Sequence, residues 1–245
     1  MIYTKEEFTT RFSLLCEKAD LSELGLPAKD KLYTICEQLD LRSKQFNLTA
    51  ITEPEEVLKK HIMDCLFTAQ CIDGIATDGM RLLDVGSGAG FPSLPIAAAL
   101  PNINVSAMDS TAKKTVYMNE TAALAKIENF KAHPARAEEA ARGEMRGAFD
   151  ICTARAVARL NVLMELCAPF LKIGGHFVSM KGAAAEEEMK EAESAAKKLG
   201  LTFVEKCRYF IPEMDDARFL LIYRKDSKTP ESYPRNFSQI SKKPL

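Results

Sequence analysis

The chain has 245 residues, room for one main domain of ordinary size and a smaller attachment. Its 47% hydrophobic and 27% charged residues belong to a globular protein and exclude a disordered one. With 33 basic residues against 34 acidic ones the net charge is −1, so global charge points to no nucleic-acid partner and any basic footprint must be local.

The opening run MIYTKEEFTT carries acidic residues and lacks the apolar core of a signal peptide. No apolar run reaches bilayer-spanning length, so a cytoplasmic protein without membrane contact is expected. Seven dispersed cysteines without a CxxC pair read as reduced thiols packed like small apolar residues. His61, His133 and His176 are too far apart to suggest a metal site.

The first 70 or so residues read as helices. Thr4 and Glu7 fit a capping box, followed by Phe8, Phe12, Leu15 and Cys16 at helical spacing. Pro27 suits a first helical position, ahead of Leu32, Ile35, Cys36 and Leu39 on one face. Thr52 and Glu55 form a second candidate capping box before a helix over 57–72. Turn formers from Asp73 to Gly79 then mark a join. Beyond it, candidate strands at 81–85, 103–108, 129–133, 149–153, 175–180, 201–209 and 219–224 alternate with helices such as 111–125, 159–171 and 183–199. Alternation of this kind argues for a parallel sheet covered by helices on both faces. The last two strands are separated only by a short turn around Glu213 to Asp216, which makes an antiparallel hairpin. The polar, proline-containing stretch 226–245 is expected to hold little regular structure. Three units result: a helical module over 1–75, an α/β domain over 80–225 and a basic tail over 226–245.

Arg81 to Pro92 reads as a buried strand ending in a glycine-rich turn that opens a helix. Glycines there permit positive φ and let a ligand lie against bare backbone, at the carboxyl end of the first strand where open α/β sheets bind their ligands. A dinucleotide fingerprint would place its last glycine at Phe91. The glycines fall instead at 86, 88 and 90, preceded by Asp84, the D-x-G-x-G-x-G form seen in class I methyltransferases. Asp109 ends the second strand, where a carboxylate can accept two hydrogen bonds from a ribose diol. A purely structural glycine turn is the competing reading.

An ordered series of further pieces surrounds this motif: Asn47-Leu48-Thr49, His61-Ile62-Met63-Asp64, Asp109-Ser110 with Lys113-Lys114, Ala135 to Glu139, Ala154-Arg155-Ala156, Lys181-Gly182, and the tail pieces Tyr233-Pro234-Arg235 and Lys242 to Leu245. Together they resemble the bacterial 16S rRNA guanine-N7 methyltransferases, once called glucose-inhibited division protein B. The chain departs from that pattern at Ser93 (usually glycine), at Ala154 (usually serine) and in lacking a glycine after Pro234-Arg235.

The resemblance implies a class I S-adenosylmethionine-dependent methyltransferase: a Rossmann-like, mostly parallel seven-stranded sheet with a terminal antiparallel strand, plus the N-terminal helical module. It implies cofactor contacts at Gly86, Phe91, Ala137, Glu138 and Arg155, beside the Gly88 and Asp109 read from the motif. It further implies a target in 16S rRNA or the small ribosomal subunit, at the guanine of conventional position 527 in the 530 loop. A monomer without metal is expected. Taken alone, Ala137 to Ala141 reads as a solvated helix start, and Arg155 equally as a surface ion pair. His61 and Asp64 share a helix face, and could hold the N-terminal module to the rim, touch RNA or bond locally. Lys181 and Arg235, with Arg155, Lys225, Lys228, Lys242 and Lys243, form a local basic set that is the candidate RNA footprint.

The fourth strand ends Thr153-Ala154-Arg155, without the Asn/Asp-Pro-Pro-aromatic run of amino-group methylation, and no Pro-Cys or Thr-Cys dipeptide offers a nucleophile for pyrimidine C5. Guanine N7 needs neither device, having a lone pair and no proton to lose, so no general base is named. A similar enzyme acting on a small molecule or protein, an RNA-binding ribosome-assembly factor and a nicotinamide oxidoreductase are the other readings. Phe91 disfavours the last.

Overall fold

The computed structural model describes residues 3–245 apart from 23, 44, 46, 156 and 157. Ala156 of the Ala154-Arg155-Ala156 piece and the first two residues of the helical module therefore lie outside the described residues. Helix α1 (Lys5–Ala19) starts at the expected capping box: Glu7 N donates to Thr4 Oγ1, and Thr4 N donates to the Glu7 carboxylate at 2.8 Å. It buries Phe8, Phe12, Leu15 and Cys16, while α2 (Leu26–Ser43) buries Leu32, Ile35, Cys36 and Leu39.

The second capping box does not form. Helix α3 (Pro54–Val57) follows Glu53 without a side-chain cap, because the Glu55 carboxylate is taken by Tyr3, Arg11 and Lys59. The single helix expected over 57–72 is three pieces: the end of α3, a π-helical turn at Leu58–Met63, and α4 (Asp64–Asp73).

After Gly79 the alternation expected from the sequence is present. The order is β1 (Arg81–Val85), α5 (Ser93–Ala99), β2 (Asn104–Asp109), α6 (Ala112–Leu124), β3 (Phe130–Pro134), α7 (Ala137–Ala140), β4 (Phe149–Arg155), α8 (Leu160–Cys167), β5 (Leu171–Lys181), α9 (Ala185–Leu199), β6 (Leu201–Phe210), β7 (Ala217–Lys225) and α10 (Phe237–Lys242). Helix α8 stops four residues short of the expected end. Pro169 has no N–H to continue the ladder, a 3-10 turn takes Ala168–Phe170, and Leu171 already belongs to β5.

The seven strands form one sheet in the order β3-β2-β1-β4-β5-β7-β6. β1 pairs in parallel with β2 and β4, β2 with β3, and β4 with β5, while β7 runs antiparallel between β5 and β6. Order reverses between β1 and β4, and the crevice at their carboxyl ends is where such sheets bind ligands. Successive side chains point to opposite faces, so Leu82, Ile151, Val178 and Leu220 enter one apolar core and Leu83, Cys152, Phe177 and Leu221 the other. The first core also holds Phe8, Phe12, Leu32, Leu58 and Ile62, so the N-terminal helices cover one face of the sheet.

The tail is more ordered than expected. It carries α10, buries Ile240 and is fastened to α8 and the segment before β4. Arg146 donates to the carbonyls of Thr229, Pro230 and Tyr233, and Arg142 to that of Pro234. Arg235 grips Glu165, whose side chain is 0% exposed, through both its backbone N–H at 2.8 Å and its guanidinium. The physical reason is Glu165 itself: a buried carboxylate needs a paired cation. Arg235→Ala is therefore expected to lower unfolding free energy by about 3 kcal/mol, the low end for stripping one partner from a buried pair, since Arg235 is partly exposed. Urea unfolding checks this; a loss within the range of surface pairs, below about 1 kcal/mol, would mean the tail does not hold Glu165.

Candidate active site

The turn after β1 is built on positive-φ glycines, with φ of 77° at Gly86, 59° at Gly88 and 87° at Gly90. A Cβ at Gly90 would lie 2.4 Å from Leu94 Cδ1, so this glycine serves helix packing. A Cβ at Gly88 would meet nothing within 4 Å, because that backbone borders open space. The space is a cavity of about 510 Å³, within the range of small-molecule sites. Gly86, Gly88, Phe91, Asp109, Ala137, Glu138 and Arg155 all line it.

Asp109, delivered by β2, accepts from Gly88 N at 3.0 Å through Oδ2 and from Thr111 N at 2.8 Å through Oδ1. Each carboxylate oxygen retains a second lone-pair site, and Asp109 lines the cavity. Below the loop, Asp84 is fully buried and neither of its carboxylate oxygens has a hydrogen-bond partner among the described residues. Burial pushes its pKa up to about 6; the Ser87 and Ser93 hydroxyls pull the other way but complete no hydrogen bond to it. Ser87 Oγ spends itself on the backbone, donating to Asp84 O and accepting from Met108 N.

The opposite wall is Phe91, His61 and Arg155. The His61 ring stacks on Phe91 at a centroid distance of 4.6 Å, and the Arg155 guanidinium lies 5.5 Å from the Phe91 centroid. Arg155 donates to the Lys60 carbonyl at 3.1 Å, to Asp64 Oδ2 at 3.3 Å and to His61 Nδ1 at 3.2 Å. An arginine only donates, so His61 Nδ1 is the acceptor and its Nε2–H donates to Thr49 Oγ1 at 3.0 Å. Desolvation, seconded by the Arg155 charge, pushes the His61 pKa down to about 3 and keeps the ring neutral. The π-helical turn supplies both the Lys60 carbonyl and His61, which accords with the habit of such turns to sit at functional sites. His61 and Asp64 thus bind Arg155 rather than each other, and Asp64 adds a 2.7 Å bond from Tyr209 on β6. Among the alternatives for this pair, holding the N-terminal helices to the rim is what the geometry supports.

The basic set is less uniform than its sequence suggests. Lys225, at the end of β7, is 2% exposed, with Nζ bonded to the Leu199 carbonyl and Thr229 and its pKa pushed down by burial to about 8. It packs under the end of α9 and presents no charge to a partner. Arg235 is committed to Glu165, and Lys181 to Glu188 at 2.7 Å and the Ala158 carbonyl at 2.9 Å. Lys228, Lys242 and Lys243 are exposed. Residues given no role from sequence also line the cavity: Leu48, Thr49 and Lys114 fall within the matching pieces, whereas Phe237, brought in by α10, carried no signal.

The residues fit the expected cofactor on two observations: the open cradle at Gly88, and the Asp109 carboxylate in the cavity lining, whose oxygens each keep a lone-pair site beyond their backbone bonds. Asp109→Ala is expected to weaken S-adenosylmethionine binding by about 1.5–3 kcal/mol, the range for hydrogen bonds to a charged group. Calorimetry checks it, and an unchanged dissociation constant would move the ribose contact elsewhere.

Comparison with known proteins adds a family match. A family model, GidB, described as rRNA small subunit methyltransferase G, matches residues 28–210. The chain is 37% identical over 244 residues to a ribosomal RNA small subunit methyltransferase G of Ligilactobacillus salivarius, covering 99% of each chain. It is 44% identical over 200 residues to one of Lachnoclostridium phytofermentans, covering 81% of this chain and 82% of the relative. Among solved structures, a SAM-dependent O-methyltransferase from Thermotoga maritima aligns at TM-score 0.53 with 16% identity, over 78% of this chain and 72% of that one. The M. jannaschii TYW2 in complex with AdoMet aligns at TM-score 0.51 with 16% identity, over 66% and 74%. These two likenesses bear on the fold, which is the Rossmann-like class I methyltransferase architecture with helices around the sheet.

Proposed function

Because the chain belongs to the rRNA small subunit methyltransferase G family and is an S-adenosylmethionine-dependent methyltransferase, we propose that it methylates N7 of a guanine in 16S rRNA, at conventional position 527 in the 530 loop. The cofactor, when bound, supplies an electrophilic methyl group on a sulfonium. Gly86 and Gly88 offer it bare backbone, Asp109 takes the ribose hydroxyls, Ala137 and Glu138 meet the adenine edge, and Phe91 and Arg155 close the reacting end. Residues 80–225 are the catalytic unit, 1–75 its cover and 226–245 a clasp on α8. The seven assigned residues come from one chain, so a monomer suffices, and a nucleophilic ring nitrogen needs no metal to activate it.

One observation carries the choice of N7: the imidazole at the reacting end is not a proton acceptor in waiting. His61 Nδ1 is occupied by Arg155, Nε2 by Thr49, and its pKa lies near 3, far below the working range of a general base. Asp64 is engaged by Tyr209 and Arg155. Such a wall suits a nucleophile with a free lone pair, held in line by proximity and orientation alone. The test is to incubate small ribosomal subunits from cells lacking this protein with the enzyme and S-adenosylmethionine, then map the product by mass spectrometry. One 7-methylguanosine at position 527 is expected. Methylation elsewhere, or none, would refute the assignment.

A further inference from the structure

A second cavity of about 380 Å³ opens beside the first at the ends of β4 and β5, and Arg155 is the wall between them. Its lining sets four cations, Arg155, Arg159, Lys181 and Arg218, against two carboxylates, Asp64 and Glu188. Glu187 and Glu191, outside this lining, match Arg159, so cations and carboxylates around the cavity balance at four each and the site turns on which cation is least neutralised. The four cations are not equivalent. Lys181 is committed to Glu188 and the Ala158 carbonyl, and Arg159 bridges Glu187 and Glu191 on α9. Arg155 spends both terminal nitrogens on Lys60, Asp64 and His61.

Arg218 differs. The carboxylate it reaches is Asp64 Oδ2 at 3.9 Å, beyond the range of a charge-assisted hydrogen bond. Asp64 is meanwhile satisfied by Tyr209 and Arg155. Pairing of β6 with β7 sets Arg218 directly opposite Tyr209, so its backbone is fixed by the sheet while the guanidinium lines the cavity. A guanidinium carried on a sheet-fixed backbone, with its charge poorly neutralised and Arg155 alone between it and the first cavity, matches a phosphodiester oxygen pair in charge and in fork geometry.

We infer that this second cavity receives the backbone phosphate of the nucleotide whose base is methylated, and that Arg218 is the side chain that holds it. The inference rests on the rRNA substrate given above. Phosphate contacts fix register and orientation without reading sequence. A phosphate on Arg218 directs the attached base toward Arg155 and the first cavity. Arg155 then acts as a positioned partition, which is why its donors are tied within the protein.

The test is single-turnover methylation of small ribosomal subunits from cells lacking this protein, titrated over a series of salt concentrations. Arg218→Ala should raise the half-saturating subunit concentration about tenfold and lower the slope of its logarithm against log salt by about 1, the signature of one lost phosphate contact. Arg218→Lys should keep most of the slope, and S-adenosylmethionine affinity should be unchanged in both. Wild-type affinity and slope in Arg218→Ala would overturn the inference. So would a parallel loss of cofactor affinity, which would place Arg218 in the first site. If the wild-type enzyme methylates no subunit, the substrate reading fails and this inference fails with it. Arg218→Gln reads the same slope should the alanine variant not fold.

Discussion

Gly88→Val is expected to abolish S-adenosylmethionine binding, a loss of more than about 100-fold, while the protein stays folded. Two effects add. At φ 59° the backbone lies in the left-handed region, which costs an L-residue about 1–2 kcal/mol and a β-branched one more. The new side chain also projects into the open space bordering the loop, where no neighbour stands within 4 Å of a Cβ to deflect it. The space is filled from the ligand side, so the cost falls on binding. Gly88→Ala is the graded control, with an intermediate dissociation constant. Calorimetry on folded variants decides it, and wild-type affinity in the valine variant would remove the loop from the cofactor site.

Asp84→Asn should separate stability from binding in opposite directions. The Asp84 pKa in the folded chain, about 6, lies above the ordinary 3.8. A raised folded pKa gives a contribution to stability that is present below pH 3.8 and lost as pH rises through about 6. At pH 7.5 the native carboxylate is therefore a liability of up to about 3 kcal/mol, at about 1.4 kcal/mol for each unit. Asparagine removes the charge, so the variant should unfold at higher urea at neutral pH. It should also bind the cofactor at least about tenfold more weakly, because the negative charge beneath the loop favours a cationic ligand; the loss corresponds to about 1.4 kcal/mol. His61 acts with the opposite sign. Its folded pKa, about 3, lies below the ordinary 6.5, so its contribution is present above pH 6.5 and lost as pH falls toward 3. Between pH 4 and 6 the two slopes oppose each other, and Asp84→Asn should expose the His61 slope as acid sensitivity. A variant no more stable and no weaker in binding would leave Asp84 a structural residue.

Much of the fold was legible because both faces of the sheet are buried. Runs such as Leu82-Leu83 and Leu220-Leu221 supply each core in turn, and the strand positions follow to within a few residues. The glycine turn and Asp109 were legible because their chemistry is local in sequence: positive φ at fixed spacing and a carboxylate at the end of the next strand. What was not legible depends on partners far along the chain. Glu55 looks like a capping residue beside Thr52, but Tyr3, Arg11 and Lys59 claim it. Lys225 and Arg235 look like solvated cations, yet one is buried at the end of α9 and the other answers the buried Glu165. Phe237 reaches the cavity because Arg142, Arg146 and the Arg235–Glu165 pair together pin the tail, and nothing in its local sequence says so. The role of Arg155 lay in between. Its place at the end of β4 was visible, but its grip on the π-helical turn was not.

On the proposed N7 mechanism the ring nitrogen itself attacks and no protein group removes a proton. The most direct measurement places 7-deazaguanosine at the target position of 16S rRNA, assembles the small subunit, and follows single-turnover methyl transfer beside the unmodified subunit from neutral to mildly alkaline pH. The substituted subunit should still bind, because phosphate and sugar contacts dominate affinity, and should accept no methyl group. The unmodified subunit should react at a nearly pH-independent rate. Methyl transfer to the deaza substrate, or a rising pH limb reporting a base, would contradict that mechanism.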